Sequence, residues 1–332
     1  MKAARVLLAL LLVSTSAGAP GRSQEQRPPP PETAPPIRVE VDLVNVVFSV
    51  TDRRNRMVTG LGPDDFRVYE DGVQQQISRF TSETDLPLRI GLLIDASNSI
   101  MPRFQFEQEA AIDFLFTILK PGRDQGFVVS FDMAPALIQD FTDDPQTLAE
   151  AIRSVRAGGA TALYDAIYVA CKMKLADGSG NDVRKMLIVL SDGEDSASRV
   201  SREEALEMAR RHEVTIFTVS TSAPPINYNA ETARMENPCK IKGEEGDKVL
   251  EYFADSTGGL AYCPFTTIDV GRSFEQIANQ LRTQYTLAYT PTNRRRDGSF
   301  RRITIDSRRD QLRIHHRPGY YARLEPAASE QP

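Results

Sequence analysis

The spacing of hydrophobic and polar positions changes rhythm twice along the chain. From Ile37 the apolar residues alternate strictly (Ile37, Val39, Val41, Leu43), then slip phase to Val44, Val46, Phe48 and Val50. A period of two predicts a strand, and the slip predicts a bulge or a move between sheet faces. Phe66-Val68 and Val73 to Phe80 alternate on either side of Asp71-Gly72, the two-residue signal for a type I′ hairpin. Residues 37–81 therefore read as all-β, and about 45 residues bury too little surface to stand alone.

From Leu88 strands alternate with helices. Leu88 to Ile94 is an apolar run, and Phe106, Ala110, Phe114 and Ile118 recur at helical spacing until Pro121-Gly122. Gly126 to Phe131 reads as a buried strand, and Ala136 to Ile138 adds a short one. Asp144-Pro145 opens a helix with Leu148, Ile152 and Val155 inward, and another helix starts near Ala162. Met186 to Leu190 is a strand, and Ser201 to Glu204 is a capping box for the helix of Leu206 and Ala209. Thr215 to Val219 (strand), Val249 to Phe253 (helix), Leu260 to Cys263 (strand) and Phe274, Ile277, Leu281 (helix) complete the series. Near-continuous apolar strands between helices predict a parallel sheet covered on both faces.

The β rhythm then returns in Tyr285 to Tyr289, Ile303 to Ile305, Leu312 to Ile314 and Pro318 to Tyr321, with Asn293 to Gly298 as a turn. Neither end holds enough strands for a sandwich. The reading is one discontinuous β domain, residues 37–84 plus 283–322, with an α/β domain, 85–282, inserted into it. Two separate small β appendages are the alternative.

Composition narrows the class. The 332 residues are 41% hydrophobic and 26% charged, with a net charge of −5, which is ordinary for a globular protein. No basic excess marks a nucleic-acid surface, and the cluster Arg294, Arg295, Arg296, Arg301 and Arg302 reads as solvated turn charge. Lys2 and Arg5 precede the apolar stretch Val6 to Val13 and the small residues Ser14 to Ala19, so residues 1–19 read as a signal peptide. Export to the periplasm or the extracellular space follows. The apolar stretch is short for an anchor, and no other segment approaches the roughly 20 apolar residues of a membrane span. Residues 20–36 hold seven prolines and read as a stiff, disordered linker, and 323–332 as a disordered tail. Three cysteines allow one disulfide: Cys171 fits a buried helix position, which leaves Cys239 and Cys263 as the better pair.

The candidate chemistry sits where apolar strands stop. Asp95-Ala-Ser97-Asn-Ser99 follows the first α/β strand, Gly158-Gly-Ala-Thr161 precedes a helix, and Asp192 follows another apolar strand. In an open parallel sheet ligands bind beyond the carboxyl ends of strands, so Asp95, Ser97, Ser99, Thr161 and Asp192 form one candidate set. All five offer hard oxygen donors, which suit Mg²⁺ or Mn²⁺.

These three elements resemble the metal-ion-dependent adhesion site of von Willebrand factor type A domains, and the resemblance covers residues 88–281. It implies a Rossmann-like doubly wound parallel sheet. Ser97, Ser99 and Thr161 would hold the ion directly or through water, with Asp95 and Asp192 commonly acting through water. It further implies that an Asp or Glu carboxylate of a partner protein fills the open position, attracted because hydroxyl ligands leave much of the ion's charge unneutralised. Val44 to Val50 with Thr51-Asp52, Gly60 to Phe66, Tyr69 to Gly72, Thr161 to Asp165, Leu190 to Asp195 and Pro318-Gly-Tyr320 resemble the VWFA-related proteins of Acidobacteria. That resemblance bears on architecture more than function.

The functional expectation is an exported, metal-dependent protein-binding module of adhesion type. The alternative is a structural or assembly component of a cell-envelope complex with incidental metal binding. An enzyme is not expected. There is no Gly-x-Ser-x-Gly elbow, His-Glu-x-x-His or phosphate loop, and His212, His315 and His316 lie far in sequence from Ser97 and lack zinc-ligand spacing. Glu194 and Asp195 read as solvated loop charge and Asp165 as a first-turn helix carboxylate; Asp132, after the strand ending at Phe131, is set aside with them, an approach to the same rim being the lesser reading.

Overall fold

The computed structural model describes residues 43–53, 56–82, 86–98, 104–176, 183–222, 239, 245–264 and 266–324. The expected signal peptide and linker, the first alternating phase up to Val41, the tail beyond Leu324, and Ser99 lie outside the described residues.

The strands β1 (Val44–Thr51), β2 (Phe66–Glu70), β3 (Val73–Gln75) and β4 (Ile77–Thr81) come first. The α/β series follows: β5 (Leu88–Asp95), α1 (Phe104–Ile118), β6 (Gln125–Phe131), β7 (Pro135–Thr142), α2 (Pro145–Ser154), α3 (Leu163–Val169), β8 (Arg184–Ser191), α4 (Arg202–Arg211), β9 (Thr215–Ser220), α5 (Glu245–Asp255), β10 (Ala261–Tyr262) and α6 (Thr267–Arg282). Then come β11 (Tyr285–Tyr289), β12 (Phe300–Ser307), β13 (Arg313–His316) and β14 (Gly319–Tyr321).

The α/β strands form one sheet of order β10-β9-β8-β5-β6-β7. Successive residues of β5 feed opposite faces, which is why its run is apolar throughout. Ile90, Leu92 and Ile94 pack with Phe114, Leu115, Phe274 and Ile277 on one side. Leu93 packs with Leu163, Ile167, Leu206 and Phe253 on the other. The sheet is mixed rather than wholly parallel, because β7 runs antiparallel to β6 along one edge. Three residues, Asp132 to Ala134, join them, and a connection that short permits only an antiparallel return.

The remaining strands form two sheets of order β13-β1-β11-β4 and β14-β12-β2-β3, each built from both the N-terminal and the C-terminal segments. Asp71 (φ 48°) and Gly72 (φ 82°) both adopt the positive φ that a type I′ turn requires, and they close the β2–β3 hairpin. The Val73 to Phe80 run is not one strand. It breaks at Gln76, so β3 pairs with β2 while β4 pairs with β11 in the other sheet. Between the sheets Phe48 meets Phe66 edge-on at 5.0 Å and stacks on Tyr285 at 5.4 Å, amid Val46, Val68, Leu287 and Ile303. Glu70 and Arg301 are buried as an ion pair at 3.4 Å, and the Tyr289 and Tyr320 hydroxyls each donate to Glu70 Oε2 at 2.9 Å.

Cys239 and Cys263 form a disulfide, and Cys171 is a buried free thiol. Among the described residues no helix is long and apolar enough to cross a membrane.

Candidate metal centre

The chain leaves β5 toward β6 on one side and later returns to β8 on the other, so the strand order reverses between β5 and β8. Their carboxyl ends flank the crevice that such a reversal opens. Asp95 is the last residue of β5 and Asp192 follows β8 directly.

Asp95 is fully buried and wired on both oxygens. Oδ1 accepts from the Ser97 backbone N–H at 2.8 Å, and Oδ2 accepts from Ser191 Oγ at 2.6 Å. Burial raises its pKa to about 6, against the lowering effect of the Ser191 and Ser97 hydrogen bonds, and the Asp192 charge adds to the rise. With both oxygens already accepting, Asp95 braces the loop that leaves β5.

The other two segments are bonded to the same place. Ala96 C=O accepts from Gly158 N–H at 2.6 Å, and Gly159 C=O accepts from Asn98 N–H at 3.3 Å. Gly158 (φ 157°) and Gly159 (φ 110°) make this turn, with Asp132 packed against it: a Cβ on Gly159 would lie 3.0 Å from the Asp132 Cβ and 3.3 Å from its Oδ2. Thr161 is buried, and its carbonyl accepts from Ser196 and Ala197 N–H at 2.9 and 3.0 Å, binding this turn to the loop after Asp192. The structure thus brings together the segments of Asp95, Ser97, Thr161 and Asp192.

Several residues that sequence reasoning missed or demoted hold these loops. Ser191 Oγ donates to Asp95 and accepts from Gly193 N–H at 3.0 Å, pinning the β8 exit. Asp195 is not solvated loop charge: Oδ1 accepts from Ser198 Oγ at 2.6 Å and from Tyr164 N–H at 3.4 Å in the first turn of α3. Asp165 does stand in that first turn, yet its Oδ1 also accepts from Arg199 and Val200 N–H at 2.9 and 3.0 Å. Gly193 (φ 80°) abuts the first turn of α5: a Cβ there would lie 2.1 Å from Gly246 C=O, and one on Gly246 would lie 2.0 Å from Asp192 C=O. Buried Asp247 then accepts from Ser220 Oγ at 2.5 Å, fixing α5 to the end of β9. The Asp192-Gly193 pair hinted at a tight turn, but nothing local pointed to its partner fifty residues on.

The donor set pairs two carboxylates with hydroxyls, which is the chemistry of hard oxygen ligands. Among the described residues no group of three or more His, Cys, Asp or Glu side chains is placed to hold a metal ion by itself.

A doubly wound, parallel-dominated sheet with oxygen donors at its switch point is the fold of a von Willebrand factor type A domain, here accompanied by two further sheets. Residues 90–194 match the family model described as von Willebrand factor type A domain, a domain type that commonly mediates metal-dependent protein binding. No curated protein matches the sequence. Similar solved structures include the PilB minor pilin from Streptococcus sanguinis, at 12% identity and TM-score 0.44, covering 60% of this chain and 62% of that one. The vWF domain of the type V pili tip protein Mfa5 from Porphyromonas gingivalis has 12% identity and TM-score 0.44, over 59% of this chain and 95% of that one. Proximal thread matrix protein 1 from the mussel byssus, with a zinc-occupied MIDAS motif, has 18% identity and TM-score 0.44, over 64% of this chain and 50% of that one. The chain thus spans about 62% of the length of the pilin and half that of the byssus protein.

Proposed function

We propose that this chain is an exported, metal-ion-dependent protein-binding module of adhesion type. Asp95, Ser97, Ser99, Thr161 and Asp192 would hold Mg²⁺ or Mn²⁺. When bound, the ion supplies a Lewis-acidic position for an Asp or Glu carboxylate of the partner. The observation that carries this reading is the joining of the 95–98, 158–161 and 191–197 segments by direct hydrogen bonds at the sheet's reversal point.

The protein's own residues do the positioning. Ser191 and the Ser97 N–H hold Asp95 at the crevice, the Gly158-Gly159 turn brings Thr161 in, and the α5 contact fixes the backbone at Asp192 and Gly193. Export rests on the N-terminal sequence pattern, and the whole-chain arrangement follows the resemblance to the VWFA-related proteins of Acidobacteria. The role is binding rather than catalysis. Its support is that His315 and His316 stand on β13 and His212 at the end of α4, away from the site's loops, so no Ser–His pair forms among the described residues.

The test is thermal unfolding with and without millimolar Mg²⁺ or Mn²⁺. A rise in Tm for the parent that disappears in Asp95→Ala supports the reading, and no rise in the parent refutes it. An envelope-assembly role with incidental metal predicts instead that pull-downs recover the same partners in the presence of chelator.

A further inference from the structure

Beside the candidate metal centre an apolar run is left in the open. Met133-Ala134-Pro135-Ala136-Leu137 passes through the turn after β6 and into β7. Pro135 is half-buried and the other four are exposed, Met133 at 71% and Leu137 at 47%. Single exposed apolar side chains are ordinary, but a contiguous run of them costs solubility unless something covers it. No residue from Met133 to Gln139 carries a charge. β7 is also the outermost strand of its sheet, so beyond β6 it meets no further strand among the described residues.

The run is tied to the loops of the centre. Ala96 N–H donates to Phe131 C=O at 2.8 Å, and Ala162 N–H donates to Asp132 C=O at 2.7 Å. Asp132 packs against the Gly159 turn. The turn that presents Met133 is therefore anchored next to both Asp95 and Thr161, and the apolar residues lead away from that anchor. Met133 to Leu137 is four residue steps, roughly 13 Å of extended chain, so a partner segment of similar length covers it. Along that length a second charge on the partner would find nothing to pair with, whereas apolar side chains would remove apolar area from water on both surfaces. The unbranched thioether of Met133 adapts its shape to such a neighbour.

We infer that residues 133–137 form a specificity wall for the metal centre. The partner segment it receives carries one Asp or Glu flanked, within about four positions on one side, by apolar side chains that pack on Met133 and Leu137. The inference rests on the metal-dependent reading of the centre.

The experiment measures binding of two sets of short synthetic peptides with a fixed Glu, one flanked by Leu, Val and Phe and the other by Ser, Gly and Lys, in millimolar Mn²⁺ or in EDTA. The parent is expected to bind only in Mn²⁺ and to hold the apolar-flanked set about tenfold more tightly, as burial of one aliphatic side chain provides. Met133→Gln/Leu137→Gln should abolish that preference while keeping the Mn²⁺-dependent rise in Tm, which certifies a folded protein with an intact centre. Met133→Leu should retain the preference. If the double variant fails to fold, Met133→Gln alone must reduce the preference. A parent with a normal Mn²⁺ response that binds neither set, or both sets equally, overturns the inference alone, as does a double variant that keeps the preference. So does a parent dimer in light scattering that the double variant dissolves, because a second copy would then cover the run. A parent with no Mn²⁺ response in Tm fails the metal reading, and the inference falls with it.

Discussion

Gly246→Ala isolates the contact between the first turn of α5 and the Asp192 loop. A Cβ on Gly246 lies 2.0 Å from Asp192 C=O and 3.1 Å from Gly193 C. Ordinary van der Waals contact begins near 3.4 Å, so the two backbones must separate by about 1.4 Å (3.4 − 2.0). No side chain can rotate away, because both partners are main chain. On the α5 side, Val249, Leu250 and Phe253 are buried in the second core cluster and resist the shift, and Asp247 holds Ser220. Overpacking of this kind is worth about 1–3 kcal/mol of destabilisation, whereas Ala at a helical position by itself contributes up to about 1 kcal/mol of stability. The net expectation is a loss of about 1–2 kcal/mol. Gly271→Ala in α6 is the matched control, since nothing lies within 4 Å of its Cβ, and it is expected to gain about 0.5–1 kcal/mol. Urea unfolding under non-oxidising, non-reducing conditions gives both values, and the Mg²⁺-dependent rise in Tm reports on Asp192. The reasoning fails if Gly246→Ala is as stable as Gly271→Ala, or if its backbone shift leaves the metal response untouched.

Three other outcomes follow from the sandwich and the disulfide. His315 is held neutral, its pKa lowered to about 4 by burial and then by Arg313 and His316, with Nε2 3.0 Å from Thr51 Oγ1. The unfolded chain takes up that proton near pH 6.5, so the stability is full above pH 6.5 and drains away as pH falls toward about 4, by at most about 3 kcal/mol. His315→Gln should flatten that slope in urea midpoints measured from pH 7 to 4, and an unchanged slope would exclude His315 as its source. Arg301→Met leaves Glu70 buried beside two tyrosine hydroxyls without its cation, and a loss of about 3–5 kcal/mol is expected by chemical denaturation; a loss under 1 kcal/mol would mean that the Arg301–Glu70 pair contributes little to stability. Reducing Cys239–Cys263, separated by 24 residues, should lower stability by about 3 kcal/mol, read as the difference in urea midpoint with and without reductant.

Much of this architecture is legible from local pattern. Asp71-Gly72 specified its turn because only a few dipeptides tolerate two positive φ values in succession, and Ser201 to Glu204 specified a helix start by reciprocal capping, which the structure shows as a 3.2 Å bond from Glu204 N–H to Ser201 Oγ. The continuous apolar run of β5 announced burial on both faces. What escaped was whatever depends on two distant segments at once. The direction of β7 is set by a three-residue connection and not by its own composition, and the break at Gln76 becomes visible only once β3 and β4 have different neighbours. The candidate centre divides in the same way. Asp95, Ser97, Thr161 and Asp192 stood out as oxygen donors at strand ends and a glycine turn, whereas Ser191, Asp195 and Gly246 act through partners 31 to 96 residues away or through main-chain proximity.

The pairing of strands from the two ends of the chain governs when the protein can fold during synthesis. Phe48 lies opposite Tyr285 and Tyr69 opposite Thr304, so β1 and β2 leave the ribosome more than two hundred residues ahead of their partners. At about 5–20 residues per second the wait is on the order of ten to fifty seconds. The α/β unit has all of its strands in hand earlier and can consolidate first, while Val46, Phe48, Phe66 and Val68 remain uncovered. Closure of the sandwich by β11 and β12 is therefore a late event that only a nearly full-length chain can complete, and a product truncated before Tyr285 would expose this apolar surface to degradation or aggregation.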